Sequence, residues 1–256
     1  MSMQKEHRPA MQGDCTWQYT VASYDVAPNR SLRLSAQLKL QQEVGEKHLD
    51  QAGFPYTYLY DQLGLVFVLT RAASRIYRAP VFEEPITVTT WCKGLQGIQY
   101  LRCYRFCDMQ GNVLIDSATT FALIDAKDHR LVRPSTVKEF ERFVHLPDRD
   151  NTCEKPGRIL LPEQMEKVDD RRLYDSDMDY NGHLNNTVYG DFITDYLPQD
   201  LAGRAPSGFR IHFAGEAGLG EALEIFTAAQ GDTAYFKGLH PRGLCFEASC
   251  TFSDDK

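Results

Sequence analysis

Apolar and polar positions change period several times along the chain, and each change marks an element. A strand-like run covers residues 18–25, and a stretch of helical pattern follows over 34–52. Gly53 and Pro55 punctuate its end in the way a C-terminal cap glycine and a following proline do. Four runs rich in Val, Ile, Thr, Tyr and Phe come next, at 65–76, 86–91, 98–106 and 113–124, with Gly94, Gly97 and Gly111 at turns. The same order then returns. Asn185 or Asn186 is placed to cap a helix on which Val188, Phe192 and Tyr196 recur at i, i+4 and i+8, and Pro198 ends it. Strand-like runs follow at 208–213, 222–228, 233–239 and 244–252. In the last, Leu244, Phe246, Ala248, Cys250 and Phe252 alternate with Cys245, Glu247, Ser249 and Thr251, the pattern of a sheet buried on one face.

The repeat extends to residues. Tyr24-Asp25 matches Tyr174-Asp175 at an offset of 150, and the same offset pairs Leu34 with Leu184 and Leu38 with Val188. Arg75-Ile76 resembles Arg210-Ile211 at an offset of 135. Shared element order makes duplication the preferred reading, although the identities are few. The expected class is α+β, each unit a curved antiparallel sheet with one helix packed on it. The expected organisation is an N-terminal unit over 1–145, a polar linker over 146–157 containing Pro147 and Pro156, and a C-terminal unit over 158–256.

With 43% hydrophobic and 25% charged residues, the 256-residue chain has the composition of a folded globular protein. No run approaches the roughly 20 apolar residues of a membrane helix, so no membrane insertion is expected. Residues 1–8 carry no apolar h-region, and no secretory signal is expected. Seven cysteines without CxxC spacing suggest reduced thiols and a cytoplasmic location, with no metal and no cofactor. The net charge of −7 argues against a general nucleic-acid partner. Residues 1–140 hold 16 Lys/Arg against 14 Asp/Glu, a net of +2, whereas residues 141–256 hold 12 against 21, a net of −9.

The least ordinary stretch is Asp175-Ser-Asp177-Met-Asp179-Tyr-Asn181-Gly182-His183-Leu-Asn185-Asn186. Asp177, Asp179, Asn181 and Gly182 fit the opening of a calcium loop, but the bidentate Glu that must follow is replaced by Val188. A polar turn capping a helix accounts for the Asp and Asn residues but not for His183. An active site accounts for all of them: Asp179, Asn181 and His183 at i, i+2 and i+4 can address one cavity. At the 150-residue offset the first half has Asn29, Ser31 and Arg33 instead, which favours a specialised role for the second unit.

Asp179-Tyr-Asn181-Gly-His183-Leu-Asn185-Asn186-Thr-Val-Tyr189 resembles the signature of the acyl-acyl carrier protein thioesterases, the plant FatA/FatB type and their bacterial relatives. The resemblance runs through most of the chain, including Gln41-Gln42-Glu43, the run from Leu65 to Arg71 and that from Ile86 to Trp91. It implies a tandem hotdog fold and hydrolysis of fatty acyl thioesters on acyl carrier protein. It also implies that the acyl chain lies in the first unit. The family's further catalytic acid falls on Glu216, in Phe213-Ala-Gly-Glu216-Ala217. Plant members carry a cysteine beside that acid where Ala217 stands here, so no cysteine nucleophile is expected.

The expected catalytic set is therefore Asp179, Asn181, His183 and Glu216. Glu216 would orient or deprotonate water, Asn181 and His183 would position water and polarise the thioester carbonyl, and Asp179 would orient its neighbours. Which of Glu216, Asp179 and His183 takes the proton stays open. The expected partner is an acidic acyl carrier protein bearing acyl-phosphopantetheine, met by cations drawn from Arg71, Arg75, Arg78, Lys127, Arg130, Arg133, Lys138, Arg171 and Arg172. An acyl-CoA thioesterase on the same fold and a non-catalytic acyl-binding hotdog protein remain as alternatives, and homodimer formation stays open.

Overall fold

Ten strands form one antiparallel sheet in the computed structural model, which describes residues 13–253. The residues read above for the absence of a secretory signal lie outside this range. The strands are β1 (Asp14–Thr20), β2 (Leu65–Ile76), β3 (Pro85–Gln96), β4 (Gln99–Asp108), β5 (Val113–Asp125), β6 (Glu166–Arg172), β7 (Pro206–Phe213), β8 (Ala222–Gln230), β9 (Thr233–His240) and β10 (Gly243–Phe252). Two helices, α1 (Leu34–Gln51) and α2 (Val188–Asp195), follow the first strand of each half. Across the sheet the order is β1-β3-β4-β5-β2-β7-β10-β9-β8-β6, one five-strand order followed by its mirror sequence. The halves join through β2 and β7, where Ala73 lies opposite Arg210, Ser74 opposite Phe209 and Arg75 opposite Gly208. The 135-residue offset exchanges the outer two of these pairs, so a pseudo-twofold passes beside Ser74 and Phe209.

Several boundaries differ from the sequence reading, each for a local reason. The first strand occupies Asp14–Thr20 rather than 18–25, because Ser23–Asp25 is a 3-10 turn. Asp25 closes that turn by accepting the Ala22 N–H at 3.1 Å and the Tyr19 hydroxyl at 2.5 Å. β6 was not expected, since Glu-Lys-Val-Asp-Asp-Arg-Arg has no apolar alternation. It is an edge strand pairing only with β8, and its charges discourage further pairing. A bulge near the start of β10 turns both Cys245 and Phe246 inward, breaking the alternation expected there. The 146–157 segment is no free tether, because it crosses the sheet face opposite α1. Leu146 and Cys153 pack with Trp91, Leu101 and Cys103, and Thr152 donates from its N–H (3.0 Å) and hydroxyl (2.7 Å) to the buried Asp116.

The two interiors are unlike. Under α2, Tyr189 and Phe192 pack on Phe246, and Tyr189 also meets Phe213. Under α1, buried Gln37, Gln41 and His48 share the helix face with Gly45. Gln37 donates to Ser74 (2.7 Å), Gln41 to Ser117 (2.9 Å), and Arg102 bonds His48 Nδ1 (2.9 Å). These bonds satisfy groups whose burial would otherwise cost about 1–3 kcal/mol each.

Candidate active site

The turn after β6 is built by carboxylates. Asp177 is buried, accepts the Tyr174 N–H at 2.9 Å and takes Arg171 on both oxygens at 2.9 and 3.0 Å. Beyond it, Met178 bridges Leu184, the Asp179 N–H donates to His183 O (2.8 Å), and Gly182 turns the chain at φ +80°. Asp179 Oδ1 sits inside this turn and accepts the backbone N–H groups of Asn181 (2.8 Å) and His183 (3.1 Å). The carboxylate thus aims its neighbours through their backbone. It makes no side-chain hydrogen bond to the Asn181 amide or the His183 imidazole, the partners expected for it.

A second turn lies against the first. His183 forms a bridge with Gly218, and the Leu184 N–H donates to Ala217 O at 2.8 Å. Glu221 holds that turn by accepting from the Gly218 N–H (3.1 Å) and Arg242 Nη2 (2.9 Å), and Arg242 also donates to Glu216 O (3.0 Å). The outcome is a His183 Nε2–Glu216 Oε2 separation of 3.5 Å, with the side chains 40% and 50% exposed. The two groups are neighbours at the limit of hydrogen-bond range.

Asn181 has a partner from the other unit. The Tyr56 hydroxyl donates to its Oδ1 at 3.0 Å. Tyr56 follows α1, stacks on Tyr60 with ring centres 5.6 Å apart, and meets Tyr180 edge-on at 5.1 Å. Burial, then the neighbouring Tyr60 and the Asp179 charge, push the Tyr56 phenol up. Burial and Tyr56 push Tyr180 up to about 12. Both therefore stay protonated hydroxyls at neutral pH. Sequence reading missed Tyr56, and Phe54-Pro55-Tyr56 carries no motif that could have revealed it.

The structure corrects the repeat alignment here. Equivalent hydrogen bonds, Ala27 N–H to Ser31 O (2.9 Å) and Asp179 N–H to His183 O (2.8 Å), set the offset at 152 rather than 150. The bridges Val26–Leu32 and Met178–Leu184 obey the same offset. The counterparts of Asp179, Asn181 and His183 are then Ala27, Asn29 and Ser31. Leu184 corresponds to Leu32, not Leu34. Leu32 N–H donates to Pro80 O as Leu184 N–H does to Ala217 O, which makes Ala79 the counterpart of Glu216. Arg78–Glu84 repeats Arg242–Glu221, down to a backbone N–H held by each glutamate. The scaffold and one amide are common to both units, while the imidazole and its facing carboxylate occur in the second alone.

No side-chain cluster suited to a metal occurs among the described residues. Ala217 is buried, and Cys245, the thiol behind the Glu216 turn, is buried with its pKa pushed up by desolvation. A cleft of about 530 Å³ between the starts of α1 and α2 is lined by Arg33, Lys39, Asp191 and Asp195 and includes none of the four candidates. Its location separates it from the acid–imidazole pair, and the chemistry is assigned to the turns instead.

Two units of one helix on a curved antiparallel sheet, fused edge to edge, define a tandem hotdog with one of its two equivalent loop sites elaborated. The model of the acyl-ACP thioesterase N-terminal domain matches residues 14–139, and that of the acyl-ACP thioesterase C-terminal domain matches 163–243. The chain belongs to the acyl-ACP thioesterase family. It is 25% identical over 204 residues to oleoyl-acyl carrier protein thioesterase 1, chloroplastic, of Arabidopsis thaliana, covering 72% of this chain and 54% of that one. It is 22% identical over 230 residues to the dodecanoyl-[acyl-carrier-protein] hydrolase of Cinnamomum camphora, covering 84% and 59%. The chain thus spans a little over half the length of the curated relatives it matches. Among solved structures, an acyl-ACP thioesterase from Bacteroides thetaiotaomicron superposes with a TM-score of 0.84 at 20% identity, covering 94% of this chain and 98% of that one. The 12:0-ACP thioesterase from Umbellularia californica gives 0.82 at 20% identity, with 95% and 98% covered.

Proposed function

We propose that this chain hydrolyses fatty acyl thioesters carried on acyl carrier protein, releasing the free acid and the carrier thiol. The observation that carries the reading is the facing of His183 and Glu216 in the second unit, at positions held by Ser31 and Ala79 in the first. In this reading Glu216 takes a proton from water as the oxygen attacks the thioester carbonyl carbon. The Asn181 amide donates to the carbonyl oxygen as it becomes an oxyanion. His183, beside Glu216, hydrogen-bonds the same water. Collapse of the tetrahedral species breaks the C–S bond, and the thiolate leaves with little help because its conjugate acid has a pKa near 8.5. The proton held by Glu216 returns to the thiolate or to solvent, so no covalent enzyme intermediate is needed.

The test is hydrolysis of a carrier-protein panel graded by acyl length, with acyl-CoA of equal length beside it, for the wild type and for Asp179→Ala, Asn181→Ala, His183→Ala and Glu216→Ala. Loss of turnover in folded His183 and Glu216 variants is expected. Wild-type turnover in all four would end the assignment, and preference for acyl-CoA would move the substrate to that class.

An acidic carrier needs exposed cations near the site. Of the nine cations considered, Arg78 and Arg171 are engaged by Glu84 and Asp177. Lys127, Arg130, Arg133 and Lys138 are exposed on the segment after β5. Val132, Val137 and Phe140 of that segment share one hydrophobic cluster with Leu59 and Leu63, which belong to the stretch following Tyr56. We assign carrier docking to this surface, with salt raising KM for acyl-carrier-protein but not for a small acyl thioester. Equal salt sensitivity of both would remove the assignment. Seven free cysteines fit a reducing, cytoplasmic setting.

A further inference from the structure

The interior of the second unit can hold the reactive turn in place, but it does not decide which way the Asn181 side chain faces. Its backbone N–H is fixed by Asp179, and the amide projects from a residue that is itself exposed. An exposed amide rotates, and the two ends of that amide have opposite chemistry: Oδ1 accepts and Nδ2 donates. To stabilise an oxyanion the Nδ2 end must face the substrate. The neighbouring Tyr180 also hydrogen-bonds the Asn181 side chain, and the first unit adds a partner of fixed polarity, as the Tyr56 hydroxyl donates to Oδ1 at 3.0 Å.

We propose that Tyr56 is a positioning residue, which fixes the Asn181 amide with its Nδ2 end toward the reacting thioester. The inference rests on the reading of 179–183 as the reactive turn. Three observations make Tyr56 suited to the role. Its ring is held on two sides, by Tyr60 stacked at 5.6 Å and Tyr180 edge-on at 5.1 Å, so the hydroxyl is delivered with few rotamers to lose. Its phenol is pushed above its ordinary range, so it remains a donor wherever the reaction runs. It also stands a few residues beyond α1, so the first unit directly touches the turn in the second. The site is therefore assembled across the two units, although the acid–imidazole pair is confined to one.

The experiment is a double-mutant cycle between Tyr56→Phe and Asn181→Ala, read as kcat and KM on an acyl thioester that the wild type turns over. Removing only the phenol oxygen should lower kcat about tenfold, the equivalent of ~1.4 kcal/mol for one hydrogen bond, with KM changed less than about twofold. Asn181→Ala should cost more, on the order of 10²-fold. In the Asn181→Ala background, Tyr56→Phe should change kcat by less than about twofold, because its effect is transmitted through the missing amide. Equal effects of Tyr56→Phe in the two backgrounds would overturn the proposal, as would a kcat unchanged by Tyr56→Phe. A second readout needs no turnover: in an amide NMR spectrum, the Asn181 side-chain NH₂ pair should shift and sharpen in Tyr56→Phe while backbone signals of the second unit stay put. If the wild type cleaves no acyl thioester and this NMR change is seen, the functional reading fails while the contact stands. An unmoved NH₂ pair overturns the positioning role whatever the activity.

Discussion

Asp179 offers the sharpest separation between a chemical and a scaffolding role. Its Oδ1 accepts two backbone N–H groups, those of Asn181 at 2.8 Å and His183 at 3.1 Å. Both donors lie in the turn that carries the amide and the imidazole. Alanine removes that acceptor and with it both bonds. At about 1 kcal/mol net for each bond at a partly exposed site, the turn loses ~2 kcal/mol of local order. If all of that appears as misalignment, kcat falls roughly 30-fold. Asparagine keeps an oxygen in the same place and loses only the charge assistance, about half of the strength. The loss is then ~1 kcal/mol, or roughly fivefold. Purified Asp179→Asn and Asp179→Ala should therefore differ severalfold in kcat on one acyl thioester, with asparagine the more active. A proton-transfer role predicts another ranking: both variants would be inactive to a similar extent, by 10² or more. Equal and deep losses in the two would refute the account of Asp179 as a carboxylate acting on backbone.

Asp116 is buried, and burial raises its pKa, but Arg105 (2.7 and 2.8 Å) and the hydroxyl and N–H of Thr152 outweigh this and hold it below the usual range. A depressed folded-state pKa stabilises above the unfolded value near 3.9 and loses that contribution as pH falls further, so acid unfolding of the wild type should steepen below about pH 4. Asp116→Asn should flatten that limb and expose the 146–157 segment to protease, and an unchanged acid limb would count against it. Gly190→Ala should destabilise by at least about 1–3 kcal/mol, because the new Cβ would stand 2.5 Å from Ser35 N, where α2 crosses the start of α1. A thermal midpoint at or above the wild-type value would contradict that contact. Burial raises the pKa of all seven thiols, with Cys103 and Cys250 pushed up to about 12. Iodoacetamide at neutral pH should leave hydrolysis intact, and stoichiometric inactivation with Cys245 modified would reinstate a thiol in the chemistry.

Much of the fold could be read because the apolar periods are strong where both sides of an element are constrained. The run at 65–76 and the helix beginning at Leu34 coincide with β2 and α1 almost residue for residue. What escaped was whatever owes its structure to partners rather than to its own pattern. β6 is a strand because β8 offers it a ladder, and its charged side chains give no period. Gln37, Gln41 and His48 carry no apolar signal of their own, yet they are buried, where Ser74, Ser117 and Arg102 bond them. The 150-residue offset failed by two residues because Tyr-Asp recurs at both places by coincidence. The turn carboxylates that do the same work are Asp25 and Asp177. His183 and Glu216 are 33 positions apart, and the pairing of their turns, through the His183–Gly218 bridge and the Leu184 N–H to Ala217 O bond, makes them neighbours. Tyr56 lies further still from Asn181, and nothing short of the folded sheet brings the two units into register.

That register also bears on why the acid–imidazole pair occurs in one unit and not in both. The pseudo-twofold relates the sheets, the turns at 27–31 and 179–183, and the glutamates beneath them, Glu84 and Glu221, each of which holds an arginine, though from different places in the chain. It does not relate the helices. α1 has 18 residues and α2 has 8, which at 1.5 Å per residue are about 27 Å and 12 Å long. The longer helix leads into a segment that reaches the opposite unit's turn and delivers Tyr56 there. After the shorter helix the chain meets Pro198 and a single 3-10 turn at Gln199–Leu201. A histidine at Ser31 and a glutamate at Ala79 would restore the pair without the clamp. Grafting them should therefore leave the chain with one working site, measured as no gain in turnover per chain when His183 is intact and no rescue when it is replaced by alanine. Recovery of activity in the His183→Ala background would show that the clamp is dispensable, and the asymmetry of the helices would then be incidental to the chemistry.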